Sequence, residues 1–320
     1  MIIVGGEALV DLVPGQPPAE GGLPPLHPRL GGGPYNTAIA LGRLGAPVGM
    51  FTRLSTDRFG RELLERLHAA GVDSTMVQTG PEPTTLAVVD LDEHGAARYG
   101  FHTTGTAAPL VADPGDPPEG TTALCLGTLG MVLEPSASVY ERMLFRYARQ
   151  GGFVALDPNI RADLIGDPDG YRHRFLEWLS AVSLLKLSVE DAAWLAGLDP
   201  DETDVRRLSG PLRDWLRRGP AAVVLTRGAE GISVLTRREE LLGVPPAAVS
   251  VVDTIGAGDT IQAALLAWLW RAGLLSWESV AGLSRRRWHE ALSHAAAAAG
   301  VTVSRSGAEP PYAAELAGGE

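Results

Sequence analysis

Short apolar runs alternate with longer stretches in which apolar residues recur every three to four positions. This rhythm continues for most of the chain. The short runs predict strands at Ile2–Val4, Val48–Thr52, Thr122–Leu126, Phe153–Leu156, Leu184–Leu187 and Ala222–Thr226. The helical period predicts helices at Asn36–Leu44, Arg61–Ala70, Ala137–Gln150, Tyr171–Ala181, Val189–Ala196, Arg206–Arg217, Ile261–Ala272 and His289–Ala299. Strands that alternate with helices predict an α/β fold, a mostly parallel sheet covered by helices on both faces. The last helix is rich in alanine, which allows a close approach to a neighbour.

Two segments break the rhythm. Residues 12–30 are rich in Pro and Gly and predict an extended excursion between the first strand and the first helix. Residues 84–102 predict a hairpin, Thr85–Leu91 and Ala96–His102 around a turn at Asp92–Gly95. Neither has helix cover of its own, so together they predict a small β-sheet over one end of the main layer. Two readings follow, a lid that shields a reaction from water and an edge hairpin without motion. The stretch PLVADPGDPPEG at 109–120 reads as the connection back to the core, and no internal repeat is present.

At 320 residues the chain is long enough for one large domain, and it is read as one unit over 1–320 with lid segments at about 12–30 and 84–108. Its net charge of −11 argues against nucleic acid or an anionic membrane as partner, while a local cluster of N–H groups would still take a nucleotide phosphate. Cys125 is the only cysteine and lies in the apolar run ALCLG, so it reads as a structural thiol. The start, MIIVGGEALVDL, has no basic region and reads as a strand rather than a signal peptide. No apolar run nears the roughly 18 residues of a membrane span, and the expected location is the cytoplasm.

The candidate chemistry sits at glycine-rich turns and just beyond strands. In DTIGAGDT (Asp253–Thr260) a glycine turn runs into a helix, which collects unpaired N–H groups and a positive helix end at one point. Asp259 adds a carboxylate beside that point, able to take a proton from an attacking hydroxyl. Taken alone, Gly256-Ala257-Gly258 is a weak signal, without the GxGxxG spacing of a dinucleotide site or the GKS/T of a P-loop, and Asp259 also reads as a helix cap. In GGGPYNTAIALGRLG (Gly31–Gly45), glycines admit a ligand to the backbone, and Asn36 reads either as a mixed donor and acceptor for a polyol or as a cap. Asp11 reads as a hydroxyl acceptor or a turn residue. Asn159 and Arg161 in DPNIR follow a strand, where ligands lie in open parallel sheets, and a salt bridge is the other reading of Arg161. In KLSVED, Ser188 and Asp191 form a variant capping box, with a second role in organising Mg²⁺ through water. The glycines of TRGAEG (Thr226–Gly231) would admit a nucleotide.

DTIGAGDT together with GGGPYNTAIALGRLG resembles the paired signatures of the ribokinase-like, PfkB-type carbohydrate kinases. The likeness runs through the whole chain in family order: GEALVD, GGGPYN, the hairpin, DPNIR, KLSVED, TRGAEG, GAGD and the tail SRSGAEPP. It implies a ribokinase-like α/β fold with a small β lid, using ATP and Mg²⁺ to phosphorylate a sugar hydroxyl. By the resemblance, Asp259 is the base and the N–H groups of Gly256, Ala257 and Gly258 form the anion hole. Asp11, Gly32, Gly33, Asn36, Phe101, Asn159 and Arg161 fall on the sugar side. Lys186, Ser188, Thr226, Gly228, Gly231, Gly258 and His294 fall on the ATP side. Asp253 and the carbonyl of Ile255 match a monovalent-cation site, which implies K⁺. The family's NxxE motif is Ser188-Val189-Glu190-Asp191 here, and the shorter Asp191 takes the Mg²⁺-linked position.

GEALVDL, DPNIR, KLSVED and DTIGAGDT most resemble the bacterial fructokinase branch. The 2-keto-3-deoxygluconate kinases share DPNxR but use a Tyr/Arg set after the hairpin for the substrate carboxylate. Here that segment is Tyr99-Gly100-Phe101-His102, without an arginine. A nucleoside kinase and an inactive sugar-binding regulator are the other readings. An exposed hairpin that pairs with its twin would make a homodimer through the lid.

Overall fold

The computed structural model describes residues 1–16, 22–91, 97–199, 204–238 and 241–317. The strands in chain order are β1 (Ile2–Gly5), β2 (Leu9–Pro14), β3 (Leu26–Gly31), β4 (Val48–Ser55), β5 (Val77–Gly80), β6 (Leu86–Leu91) and β7 (Ala97–His102). They continue with β8 (Ala123–Gly127), β9 (Phe153–Asp157), β10 (Leu184–Ser188), β11 (Ala222–Thr226), β12 (Ile232–Thr236) and β13 (Leu242–Val244). Among the described residues nine strands form one sheet in the order β13-β12-β11-β10-β9-β8-β1-β4-β5. From β11 through β5 every pairing is parallel, and β12 and β13 add an antiparallel edge.

The central strands are mostly apolar because both faces are covered, with Asp157 of β9 and Lys186 of β10 as the buried charged exceptions. Along β1, Ile2 and Val4 enter one core while Ile3 enters the other, as the two-residue side-chain period requires. Helices Gly33–Arg43, Arg58–Ala69, Ala257–Arg271 and Arg285–Val303 cover the first face. Helices Ser136–Arg149, Pro168–Trp178, Val189–Leu195 and Val205–Arg218 cover the second. The alanines of Arg285–Val303 (Ala291, Ala295, Ala298) meet Ala263 and Ala267 of Ala257–Arg271 in the first core, the close approach read from the sequence. Cys125 is buried, and its thiol is pushed up to about 12 by burial, as suits a structural residue.

The second sheet joins the two irregular segments, in the order β3-β2-β6-β7. Its outer pairings are antiparallel, and β2 lies parallel to β6. The tip of the hairpin expected at 92–95 and part of the excursion, residues 17–21, lie outside the described residues. Asp11, read as the residue after a first strand, is instead inside the lid strand β2, paired in register with Arg29 and Ala87. Chain direction explains the difference: β1 ends at Gly5, and after only Gly6, Glu7 and Ala8 the chain enters a second strand.

Three strands escaped the hydrophobic pattern. β5 and β13 are short and lie at the two edges of the sheet, and β12 begins directly after a glycine turn. Helix starts also moved. The helix predicted from Ile261 begins at Ala257, and the one predicted from Asn36 begins at Gly33. In both, glycine suppresses the local helix signal, and the fixed tertiary position of the turn overrides it.

Candidate active site

The main sheet changes winding direction at β1: the chain goes first to β4 and β5 on one side and later to β8 on the other. Loops that leave the carboxyl ends of neighbouring strands diverge at such a point and open a crevice. A cleft of about 270 Å³ lies there. Glu7 reaches it from the end of β1, Thr128 from β8, Asn159 and Arg161 from β9, and Lys186 from β10. The lid adds Leu9 and Asp11 from β2, with Tyr99 and Phe101 from β7. The fourth wall is Gly32, Gly33 and Asn36 on one side and Thr254–Gly256, Gly258 and Asp259 on the other.

Asp259 is the third residue of helix Ala257–Arg271, not its cap, and it is 8% exposed. Its Oδ2 accepts a hydrogen bond from Asn36 Nδ2 at 2.9 Å. Asn36 therefore sits inside its own helix, one turn from the start, and its amide points at the carboxylate rather than capping. The other oxygen, Oδ1, faces the cleft beside Gly33, where a Cβ would come within 3.3 Å of it. Burial pushes Asp259 up to about 6, and the bond from Asn36 and the charge of Lys186 restrain the rise. Near neutral pH it is thus an ionised carboxylate of raised basicity, suited to taking a proton.

The turn before it is set by Gly256, the N-cap, at φ +77°, in the left-handed region that favours glycine. The first-turn N–H groups of this helix have no partner in the helical ladder. Among the three expected in the anion hole, Ala257 N–H is already drawn to the Thr254 carbonyl at 3.3 Å. Lys186 stands behind the turn, within 3.0 Å of where a Gly258 Cβ would be. It is 4% exposed and paired with Asp157 at 2.7 Å, which keeps it charged in spite of burial. It lines the sugar-side cleft, although the sequence resemblance put it with the nucleotide.

A second groove, of about 460 Å³, meets the first at Thr254 and Gly258. Thr226, Gly228 and Gly231 form one wall, and Val249, Val251, Ile261 and Ala296 supply much of the apolar surface. An apolar slot that ends at a helix N-terminus fits a flat base with a phosphate chain. His294 is not in this groove. On its helix Ala296, Ala299, Gly300 and Val303 face the groove, and at 100° per residue His294 falls on the opposite side. There burial and the Arg271 charge lower its pKa. The resemblance put His294 on the ATP side, and its side chain lies outside this groove.

The capping box is present: Ser188 Oγ accepts from Asp191 N, and Asp191 Oδ2 accepts from Ser188 N, both at 3.0 Å. Asp191 Oδ1 also accepts from Ile160 N at 2.7 Å, so this carboxylate ties the DPNIR loop to the next helix. Ser188 and Asp191 line neither cleft. Asp253 accepts from Ile255 N at 3.0 Å and from Gly307 N at 2.8 Å, which fixes the phosphate turn to the C-terminal tail. Arg161 Nη1 donates to Asn159 Oδ1 at 2.8 Å.

Sequence reading missed Glu7, Thr128, Tyr99 and Thr254. The signal for Glu7 is a carboxylate straight after an apolar strand. Thr128 holds φ +55°, unusual for a branched residue, at the end of β8. His102 alternates to the other face of β7 from Tyr99 and Phe101 and is outside the cleft.

A crevice at a switch point, a buried carboxylate at its floor and a second groove meeting it at a helix start define an α/β kinase of small hydroxylated substrates. The chain belongs to the pfkB family of carbohydrate kinases, whose pattern matches residues 4–314. It is 38% identical to a fructokinase of Rhizobium leguminosarum bv. trifolii over 288 residues, 89% of this chain and 85% of that protein. It is 34% identical to a fructokinase of Klebsiella pneumoniae over 276 residues, 85% of each. The fold superposes on Xylella fastidiosa fructokinase with bound ATP at a TM-score of 0.84 and 25% identity, covering 98% of this chain and 97% of the other. Vibrio cholerae fructokinase, solved with fructose, ADP and calcium ion, gives 0.81 at 26% identity, covering 99% and 97%.

Proposed function

We propose that this protein is an ATP-dependent fructokinase that converts fructose to fructose 6-phosphate. The observation that carries it is Asp259: one oxygen is held by Asn36, the other lies beside Gly33 in the first cleft, and the next residue back, Gly258, lines both clefts. Asp259 takes the proton of the sugar hydroxyl as its oxygen bonds to the γ-phosphorus, and the bond from that phosphorus to the bridging oxygen breaks to release ADP. The Gly256–Gly258 turn and Lys186 face the charge that develops. Magnesium, when bound with the nucleotide, neutralises phosphate charge. Asp191, at the position the resemblance links to Mg²⁺, would act on the ion only through water, and its two oxygens already accept from Ile160 N and Ser188 N. Asp253 and the Ile255 carbonyl are the proposed K⁺ contacts, and Leu26 to Pro28, exposed on the β3 edge, the proposed dimer contact.

The charge of the cleft supports a neutral sugar. Glu7, Asp11 and Asp259 line it against Arg161, while the charge of Lys186 is matched by Asp157. A substrate carboxylate would meet net repulsion, which disfavours 2-keto-3-deoxygluconate. The test is a coupled ADP-release assay with a panel of fructose, other sugars, adenosine and 2-keto-3-deoxygluconate. Fructose should have the highest kcat/KM; sugar binding without any turnover would instead support the regulator. Asp259→Asn should lower kcat by at least ~100-fold while fructose binding persists, since Asn still accepts from Asn36. Turnover near the wild-type rate in that variant would sink the assignment.

A further inference from the structure

Two glycine-rich turns open helices in this chain, one before Gly33–Arg43 and one before Ala257–Arg271. Helix electrostatics alone makes both attractive to an anion. Their surroundings differ. The first is capped by Gly32, which has no side chain to offer, and its first turn carries no acidic residue. Its Gly33 N–H donates instead to Glu7 Oε1 at 3.2 Å, across 26 residues of sequence. Glu7 Oε2 accepts from Gly130 N at 3.1 Å, on the loop after β8. Among the described residues no carboxylate accepts from Gly256, Ala257 or Gly258; Asp253 goes to Ile255 and Asp259 to Asn36.

We propose that the Glu7 carboxyl is the resident acceptor of the sugar-side turn, a positioning residue that spans Gly33 and Gly130 and occupies their N–H groups. It fixes the separation of these two walls of the cleft and denies that helix end to anionic groups, so phosphate is taken only at the Gly256–Gly258 turn. The inference rests on reading this cleft as the sugar site. Glu7 is 3% exposed and lines the cleft. Burial pushes it up to about 8; Arg161 lowers this value and Asp259 raises it. In either protonation state each oxygen keeps a lone pair for its N–H donor. A glutamine has one acceptor oxygen, so Glu7→Gln loses one of the two bonds whatever the pH.

Steady-state kinetics with the sugar that the wild type turns over fastest tests this, with sulfate as the anion probe. Glu7→Gln should raise the sugar KM roughly tenfold, the scale of one lost bond to a buried donor, and leave the ATP KM within about twofold. Sulfate should compete with the sugar in the variant but only with ATP in the wild type. Glu7→Asp, too short to span both N–H groups, should show the same split and serves if the glutamine variant does not fold. An unchanged sugar KM in a folded variant, or both KM values raised alike, overturns the proposal. So does competition between sulfate and sugar in the wild type, which needs no variant. A wild type that turns over no sugar fails the kinase reading instead.

Discussion

At the scale of single residues, the site depends on acids kept in a poorly hydrated place. Burial pushes Asp259 and Asp11 each up to about 6. Asp259, the proposed base, must be ionised to act, so kcat/KM should fall about tenfold per pH unit below about pH 6, as a property of the two interacting carboxyls. A pH–rate profile measures this, and a flat profile down to about pH 5 would contradict it. Space matters as much as charge. A Cβ on Gly33 would stand 2.7 Å from Thr128 Oγ1 and 3.2 Å from Asn159 Nδ2, inside the cleft proposed to hold the sugar. Gly33→Ala should therefore raise the fructose KM more than tenfold, with the melting temperature nearly unchanged. Calorimetric titration of the sugar distinguishes this from a general loss of fold.

At the scale of elements, function rests on how helices begin. Gly256 carries a left-handed turn that a side chain would strain, and its Cβ would meet the Ala308 methyl at 2.7 Å. Gly256→Ala should cost about 1–2 kcal/mol of stability by its backbone conformation and also lower kcat, because the N–H groups shift. Chemical denaturation and kinetics on one preparation read both effects. Asp57 is a second such start. It caps helix Arg58–Ala69 through Gly60 N and also receives the Thr84 N–H and hydroxyl, just before the lid strand β6. Burial would raise its pKa, but these donors hold it below the usual carboxylate range. Asp57→Ala should cost about 1–2 kcal/mol, seen as a lower midpoint in urea.

Across the whole molecule, tail, sugar helix and phosphate turn are tied together. Glu309 pairs with Arg43, at the far end of the helix that carries Asn36, and with Arg66 of the next helix. Gly307 donates to Asp253 in the phosphate turn. The same folding buries Glu7, Asp11 and Asp259 with values raised from ordinary ones of 4.5 and 3.8. Between those values and the raised ones the folded chain binds more protons than the unfolded chain, so stability falls as pH rises. The unliganded protein should melt higher at about pH 5.5 than at about pH 8, and Glu7→Gln should flatten the upper part of that slope. Differential scanning calorimetry across this range decides it.

The parallel core was legible in the sequence, because strands covered on both faces must be mostly apolar, as β1, β8, β9, β10 and β11 are apart from the buried Lys186–Asp157 pair. The sequence also marked the Asp253–Thr260 turn, since glycine before a helix leaves a local chemical trace. Weak edge strands left none, and β5 and β13 are held only by their neighbours. Tertiary structure alone decided which side chains meet. Asn36 reaches Asp259 across 223 residues, Glu7 reaches Gly130 across 123, and His294 is carried away from the nucleotide groove by the turn of its helix. Periodicity records which face is buried, while the partner in a cleft depends on where separate strands end in space. For that reason the two glycine turns look alike in the sequence, and only the folded chain sets a carboxylate on one of them.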